Sequence, residues 1–231
     1  MRGFVHRLTT RGVRRALGRV ASELALLPRH NGAVRKARAL SRGGDLRLQL
    51  GCGDQPKTGW INVDLFNPSA DLALDLREPL PFDDNTVEFV YTEHVFEHLD
   101  YPVDARHVLR EVQRVLKPGG ILSIVVPNCG DALQAYAAHD EAFFSVPGPR
   151  SYLLGEHPTL MHHVNFWFRQ DGEHLYAYDA ETLGQVLRDA GFVAVRERDF
   201  DPALDSEKRR RVHSLYMEGT KGPLEQSRIT R

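Results

Sequence analysis

The stretch LQLGCGDQPKTGWINVDL, Leu48 to Leu65, has an apolar strand pattern at each end and only a short connection between them. Gly51 and Gly53 directly follow the first strand, and Asp64 lies at the end of the second. Glycines after a strand let a ligand approach the backbone closely, and an acid that ends the next strand suits the two hydroxyls of a ribose. The stretch therefore indicates a nucleotide-type cofactor.

The length of the connection narrows the choice of cofactor. Asp64 comes 11 residues after Gly53, whereas a dinucleotide fingerprint places its acid about 20 residues further on. Pro56 stands where that fingerprint has its third glycine. Residues Asp54–Gly59 are too few for a full helix that would point its N-terminus at a pyrophosphate. The sequence therefore disfavours NAD and FAD.

Strand and helix patterns alternate on both sides of this stretch. Helical spacing of apolar residues covers 104–117, and another helical pattern begins at Asp179 or Ala180 and runs through Leu187. This alternation predicts an α/β sandwich around a mainly parallel sheet. The candidate strands are Leu46–Leu50, Trp60–Leu65, Ala70–Leu74, Val87–Tyr91 and Ile121–Pro127.

The composition indicates the size of the core and the cellular compartment of the protein. An apolar fraction of 42% among 231 residues is enough for one sizeable core. Cys52 and Cys129 are too few for a disulfide framework, which favours a reducing compartment. No apolar run approaches the roughly 18 residues of a spanning helix, and the N-terminus lacks the apolar segment of a secretory signal. We expect a cytoplasmic protein, with a peripheral position at a membrane surface as the alternative.

Residues 1–44 form a strongly basic arm. They carry ten arginines and Lys36 against the single acid Glu23, a net charge of +10, so the rest of the chain holds −11 of the overall −1. Such an arm can dock on its own body, on an anionic membrane or on a polyanion. Nucleic acid is the less favoured partner because Phe4 is the arm's one aromatic ring for stacking.

The arm has a helical apolar pattern that Pro28 should end. We expect its stripe to pack on the main domain, residues 45–231, and a second short helix to end at Gly43-Gly44. Interfacial binding to a membrane is the alternative for the same stripe. The stripe consists of Val13, Leu17, Val20, Leu24 and Leu27.

Five motifs are spread along the main domain: LGCG at 50–53, NVD at 62–64, DLREPLPFDDNTVEFVY at 75–91, LKPGGILSIVVPN at 116–128 and HLYAYDAETLGQVLRDAGF at 174–192. Together they resemble the class I S-adenosylmethionine-dependent methyltransferases. A subgroup of that family, often predicted to act in polysaccharide biosynthesis, has a shortened first crossover of the form LGCG-x5-GWINVD and an EHVxEH run, here EHVFEH at 93–98.

The resemblance implies a three-layer Rossmann-like α/β sandwich with a mostly parallel seven-stranded sheet and one antiparallel edge strand. It implies S-adenosyl-L-methionine as cofactor, bound where the strand order reverses between the first and fourth strands. Asp64 would hold the ribose, and Asp75 with the Leu76 amide would hold adenine. Gln55, Lys57 and Thr58 are candidates for the amino-acid end. The implied cofactor-binding residues are Gly51, Cys52, Gly53, Asp64, Leu65, Asp75, Leu76 and Thr92.

The catalytic candidates follow the fourth strand. Methyl transfer from a sulfonium is an in-line displacement that depends on positioning, and an alcohol acceptor also needs a base to remove its proton. His94 stands just beyond the strand, at the right depth for that base, with Glu93 beside it. Glu97 and His98 follow at i+3 and i+4 from His94, on one helical face. His94, Glu93 and His98 are therefore the predicted catalytic residues.

The segment at 155–174 interleaves histidines with aromatic residues, inside an acceptor-binding or lid insertion expected at about 130–174. Aromatic rings stack on sugar faces and His or Asn side chains bond hydroxyls, so the segment suits a glycan or another small polar acceptor. A metal held by His162 and His163 with Glu156 or His157 is the less favoured alternative, and no metal is expected. The predicted substrate-binding residues are His162, His163, Asn165 and Trp167.

These features predict O-methylation of a sugar, a glycan precursor or another small polar molecule. The alternatives are methylation of protein or RNA, and a non-catalytic protein that keeps the fold and is recruited through its basic arm. Specific nucleic-acid methylation is disfavoured because YTEHVF, 91–96, replaces the Asn/Asp-Pro-Pro-aromatic run of that branch. The basic run KRRR, 208–211, is more simply a solvated turn.

Overall fold

The computed structural model describes residues 10–40, 45–145, 159–206 and 213–223. The expected helix end at Gly43-Gly44, the metal candidates Glu156 and His157, and the basic run at 208–211 lie outside these residues. The strands are β1 (Leu46–Leu50), β2 (Ile61–Val63), β3 (Val87–Glu93), β4 (Leu116–Pro127), β5 (Phe192–Glu197) and β6 (Ser214–Lys221). The helices are α1 (Arg11–Leu40), α2 (Asp104–Val115), α3 (Cys129–Ala137), α4 (Glu141–Phe144), α5 (Leu160–Arg169) and α6 (Ala180–Asp189), with 3-10 turns at Phe96–His98 and Gln170–Gly172.

The six strands form one mixed sheet in the order β2-β1-β3-β4-β6-β5. β1 pairs in parallel with β2 on one side and β3 on the other, and β3 pairs in parallel with β4. β6 runs antiparallel to both β4 and β5. The strand order therefore reverses between β1 and β3, where the resemblance implied a binding site.

Two expectations about the sheet are wrong for the described residues. The candidate strand Ala70–Leu74 contributes only an isolated bridge between Leu72 and Val63. Asp71, within this candidate strand, turns its carboxylate to the Asn62 amide groups, so the pairing does not extend beyond the bridge. The sheet formed by the described residues has six strands, and the expected seventh is not among them. The antiparallel strand β6 is not at the edge, because β5 pairs with its outer side.

Buried amide side chains hold the short connection between β1 and β2. The Gln49 side chain accepts from the Lys57 amide and donates to the Gln55 carbonyl. The Asn62 side chain also accepts from the Lys57 amide and donates to the Lys57 and Trp60 carbonyls. Both side chains are buried. Two side chains thus satisfy backbone groups that a crossover helix would satisfy internally.

The core lies on the two faces of β1, β3 and β4. The helical face predicted within 104–117 is confirmed, since Val108, Leu109, Val112 and Val115 of α2 are buried against the sheet. A separate apolar cluster forms under α3, α4 and α5. Its buried members are Ala132, Ala135, Phe143, Phe144 and Val164.

Helix α1 differs from its prediction in two ways. It continues through Pro28 instead of ending there, and residues on both sides of Pro28 are exposed, so water can satisfy the carbonyl that the proline leaves without a donor. Its apolar stripe does not pack on the main domain, since Val13, Leu17, Val20, Leu24 and Leu27 are 45–61% exposed. Ala33 and Ala37 pack into the core instead. No helix in the described part of the chain combines the length and apolar content needed to cross a bilayer.

Candidate active site

A cavity of about 910 Å³ opens at the carboxyl ends of β1, β2 and β3. Its position follows from the topology, because the loops after strands on either side of a switch point diverge and leave a crevice. Helix α1 and the segment after α5 complete its wall. The residues that line the cavity include Ser22, Glu23, Leu26, Gly51, Gly53, Asp64, Leu65, Phe66, Asp75, Leu76, Arg77, His94, Glu97, His98, Asp104, Gln170 and His174.

Gly51 occupies a position that only glycine fits. Its φ is +71°, and a Cβ built there would lie 2.2 Å from Cγ2 of Val95. The amides of Gly51 and Cys52 both donate to the Val63 carbonyl, at 2.8 and 3.0 Å. This turn brings the backbone after β1 close to the strand end of β3 and leaves its cavity side without a side chain.

Asp64 joins two loops at the cavity wall. Its Oδ2 accepts from the Gly53 amide, and its Oδ1 accepts from the amides of Phe66 and Asn67, each at 2.9 Å. One carboxylate thus fixes the glycine turn after β1 and the turn after β2. The Phe66 ring is left 70% exposed on the wall, where it can stack on a planar ligand.

Asp75 forms an ion pair with Arg77 at the cavity wall. Its carboxylate accepts from the Arg77 guanidinium, with the shortest contact at 2.6 Å, and Arg77 also donates to both carboxylate oxygens of Glu23 on α1. Burial alone would raise the pKa of Asp75, but the hydrogen bonds and charge of Arg77 lower it below its usual range. The pairing ties helix α1 to the cavity wall.

His94 and Glu97 form a buried pair. His94 has a φ of +53° at the end of β3, a conformation that non-glycine residues rarely adopt. Its Nδ1 lies 3.2 Å from Glu97 Oε1, and its Nε2 lies 3.3 Å from the Ser214 hydroxyl. Burial alone would raise the pKa of Glu97, but the hydrogen bond and charge of His94 outweigh burial and lower it. Glu97 is therefore an ionised carboxylate that orients the imidazole.

Two more imidazoles complete this end of the cavity. His98 Nδ1 lies 3.0 Å from the Glu173 carbonyl, and His174 Nδ1 lies 2.8 Å from the Trp167 carbonyl. Their rings meet edge to face with centroids 5.0 Å apart. The amides of 175 and 176 both donate to the Glu97 carbonyl, which holds the segment after α5 against the turn after β3.

A family model for a methyltransferase domain matches residues 48–124. The chain is also 32% identical over 123 residues to the ubiquinone/menaquinone biosynthesis C-methyltransferase UbiE of Desulfotalea psychrophila. That match covers 52% of this chain and 46% of the relative. The chain therefore spans about half the length of the relative that it matches. These matches show a similarity to methyltransferases that is centred on the strands β1, β2 and β3 and part of β4.

Solved structures that align with this chain include methyltransferases. An S-adenosylmethionine-dependent methyltransferase from Thermotoga maritima aligns at a TM-score of 0.42 and 17% identity, over 90% of this chain and 97% of that one. Phosphoethanolamine N-methyltransferase 2 of Haemonchus contortus, in complex with S-adenosyl-L-methionine, aligns at a TM-score of 0.46 and 12% identity, over 84% and 53% of the two chains.

The structure brings most of the predicted cofactor-binding residues to the cavity. Gly51, Gly53, Asp64, Leu65, Asp75 and Leu76 line its wall. Cys52 and Thr92 are buried and do not line it. Gln55, Lys57 and Thr58 do not line it either, and the Lys57 ammonium donates to the Leu204 carbonyl and lies over the Tyr91 ring.

Of the predicted catalytic residues, His94 and His98 line the cavity and Glu93 does not. Glu93 is the last residue of β3 and is buried beside Tyr91 and Tyr216, whose pKa values its charge helps to raise. Successive strand residues point to opposite faces, which separates Glu93 from His94.

The predicted substrate-binding residues lie away from the cavity wall. Thr159 caps the start of α5 by accepting from the His162 backbone amide, and its hydroxyl also contacts His162 Nδ1. The Asn165 side-chain amide donates to the Met161 carbonyl within the helix. His163 stacks on Phe144 at 5.5 Å, and Trp167 packs against Phe143 at 5.4 Å. These aromatic contacts belong to the separate cluster under α3, α4 and α5.

Several wall residues were not predicted. Glu97 had a signal, its i+3 spacing from His94. His174 and Gln170 had no such spacing signal, because contacts between distant parts of the chain place this segment: the Leu175 and Tyr176 amides donate to the Glu97 carbonyl. The α1 residues on the wall, Ser22, Glu23 and Leu26, are likewise set by tertiary packing.

Proposed function

We propose that this chain is an S-adenosylmethionine-dependent methyltransferase that binds its methyl donor in the cavity at the ends of β1, β2 and β3. One observation carries the proposal: the glycine turn, Asp64 and His94, which are predicted from separate motifs, meet on one wall. The cavity volume of about 910 Å³ lies within the range of small-molecule sites.

The wall residues fit the parts of the donor. The glycine turn offers backbone without a side chain, Asp64 offers a carboxylate for the ribose hydroxyls, and the exposed Phe66 ring offers a stacking surface for adenine. Asp75 presents a carboxylate already held by Arg77, so it meets the adenine edge as part of an ion pair. When bound, S-adenosylmethionine supplies a methyl group on a sulfonium.

His94 is the proposed general base. Since the ionised Glu97 only accepts, the facing Nδ1 carries the proton and Nε2 carries the lone pair. Nε2 then accepts from the Ser214 hydroxyl at 3.3 Å, a long hydrogen bond that an acceptor hydroxyl can replace. Glu97 stabilises the imidazolium that forms when the hydroxyl proton arrives.

The proposed acceptor is a hydroxyl of a sugar, a glycan precursor or a comparable small polar molecule. Polar groups on the wall support it, among them Asp104, Gln170 and His98, as does the resemblance to the polysaccharide-linked subgroup. A second candidate is methylation of a carbon atom, which the similarity to the C-methyltransferase UbiE favours. Both reactions use a base beside the methyl donor, so the structure of the product distinguishes them.

Calorimetric titration with S-adenosylmethionine and with its demethylated product tests the cofactor. Gly51→Ala and Gly59→Ala form a matched pair, since both glycines have a left-handed φ but only Gly51 faces a clash. We expect micromolar binding by the intact protein and by Gly59→Ala, and loss of binding in Gly51→Ala. An intact protein that binds neither compound contradicts the proposal.

A radiolabelled methyl-transfer screen tests the acceptor. Sugars, nucleotide sugars and phenolic or quinol rings are the panel, and mass spectrometry with NMR locates the new methyl group on oxygen or carbon. We expect transfer to a sugar hydroxyl. Transfer to a ring carbon supports the second candidate, and donor binding without transfer to either class contradicts the acceptor proposal.

We also propose that α1 binds an anionic bilayer surface. Its apolar stripe is exposed although α1 docks on the main domain through Ala33 and Ala37, so the docked helix still presents the stripe outward. Arginines at 11, 14, 15 and 19 share its N-terminal half with no acid before Glu23. An exposed apolar stripe on a basic helix is the pattern of interfacial binding.

Co-sedimentation with vesicles tests the arm. We expect binding to phosphatidylglycerol-containing vesicles, weak binding to pure phosphatidylcholine, and loss of binding in a Leu17→Asp/Leu24→Asp variant. Leu133→Asp is the control, because Leu133 is similarly exposed but lies on α3. Equal sedimentation of the arm variant and the control contradicts the proposal.

A further inference from the structure

Glu97, His98 and His174 converge at one end of the cavity. Each offers a ligand atom, and the three atoms lie within 4.8 Å of one another. Glu97 Oε1 lies 3.9 Å from His98 Nε2. Two imidazoles and a carboxylate on one side of a cavity form a three-ligand set that leaves positions open for other ligands.

Hydrogen bonds fix the tautomers of both histidines. A backbone carbonyl only accepts, so the Nδ1 atoms that face the carbonyls of Glu173 and Trp167 must carry the protons. The lone pair of each ring is then on Nε2. Histidines that bind metals are held in this way, with the second ring nitrogen donating to a carbonyl or carboxylate.

The carboxylate provides an independent indication of a ligand. Glu97 is 3% exposed and its Oε1 faces His94, while its Oε2 is buried and has no hydrogen-bond partner among the described residues. A buried carboxylate oxygen without a partner is costly. A cation bound between Glu97 and the two imidazoles would satisfy it.

We propose that Glu97, His98 and His174 bind a divalent transition-metal ion on the cavity wall. Two nitrogen ligands favour zinc, iron, cobalt, nickel or copper over magnesium and calcium, which prefer an all-oxygen set. The site differs from the earlier alternative at His162 and His163, whose rings contact Thr159 and Phe144. Metal binding at this site does not depend on methyl transfer. The metal proposal and the methyltransferase proposal can therefore be contradicted independently of each other.

Titration of the chelator-treated full chain with ZnCl2 and with CoCl2 tests the site. We expect one ion per chain by calorimetry and visible absorption from bound cobalt, with MgCl2 failing to compete. Glu97→Gln, His98→Gln and His174→Gln should each weaken zinc binding at least about tenfold, as loss of a ligand does. His162→Gln and His163→Gln are matched controls and should bind as the intact protein does.

His98→Gln keeps the test open if the buried variants fail to fold, because the His98 side chain is 37% exposed. Circular dichroism checks each variant before titration. An intact protein that binds neither zinc nor cobalt overturns the proposal. Unchanged affinity in folded His98→Gln, or loss of binding in the His162 or His163 control, also overturns it.

Discussion

Two segments of this chain carry paired histidines near aromatic residues, and they end in different surroundings. The segment at 93–98 places His94 and His98 on the cavity wall beside a buried carboxylate. The segment at 162–168 places its histidines on a helix, one at the helix start and one stacked on Phe144. The first follows a strand at a switch point, and the second lies on an amphipathic helix. Position in the topology, more than residue type, separates the candidate site from the packing cluster.

The largest expected effect is on catalysis and comes from His94. His94→Asn tolerates the left-handed backbone but removes the basic nitrogen, so kcat should fall by about 10²–10⁴-fold while donor affinity changes little. Steady-state methyl-transfer kinetics measure it once an acceptor is known. His162→Asn, in the other segment, should leave kcat unchanged. Equal losses in both variants would remove the distinction between the segments.

The next largest effect is on donor affinity and comes from Asp64. Asp64→Asn replaces one acceptor oxygen with an amide that faces backbone N–H donors. Because each lost charged hydrogen bond is worth about 1.5–3 kcal/mol, we expect at least about tenfold weaker donor binding by calorimetry. Asp45→Asn, an exposed acid paired with Lys117, is the control. Unchanged affinity in Asp64→Asn would place the donor elsewhere.

Trp167 tests the packing role of the second segment. Trp167→Ala removes a half-buried ring that packs against Phe143, and we expect about 2–3 kcal/mol lower free energy of unfolding by urea denaturation. Donor affinity of the folded variant should not change. A variant of normal stability with reduced acceptor turnover would instead return Trp167 to the acceptor site.

The smallest expected effect comes from the contact between α1 and the cavity. Glu23→Gln weakens its exposed ion pair with Arg77, worth about 0–1 kcal/mol, so donor affinity should fall by about fivefold at most. Glu88→Gln, which breaks the exposed pair with Arg47, is the control for a surface charge change. A much larger loss in Glu23→Gln would show that α1 directly shapes the donor site.

Local sequence predicted the part of the site built by strand ends. Gly51, Gly53 and Asp64 lie within one short stretch, and their spacing alone disfavours a dinucleotide cofactor. His94 follows from its place just after β3. These predictions needed only the positions of the strand ends and the rule that ligands bind where the strand order reverses.

The features of the site and fold that depend on tertiary contacts could not be predicted from the sequence. His174 reaches Glu97 only because the 175–176 backbone bonds to the turn after β3. The exposure of the α1 stripe depends on which face Ala33 and Ala37 dock, which its helical period does not specify. Ala70–Leu74 fell short of a strand because Asp71 bonds Asn62. Each of these differences results from tertiary contacts that outweigh the local sequence pattern.

NMR of ¹⁵N-histidine-labelled protein titrated with S-adenosylmethionine tests the central claim most directly, with single His→Gln variants assigning the ring signals. The donor is proposed to bind in the cavity whose wall carries His94, His98 and His174, so their ring resonances should shift while those of His162 and His163 stay in place. Shifts confined to His162 and His163, or no shift at saturating donor, would contradict the assignment of the cavity as the methyl-donor site.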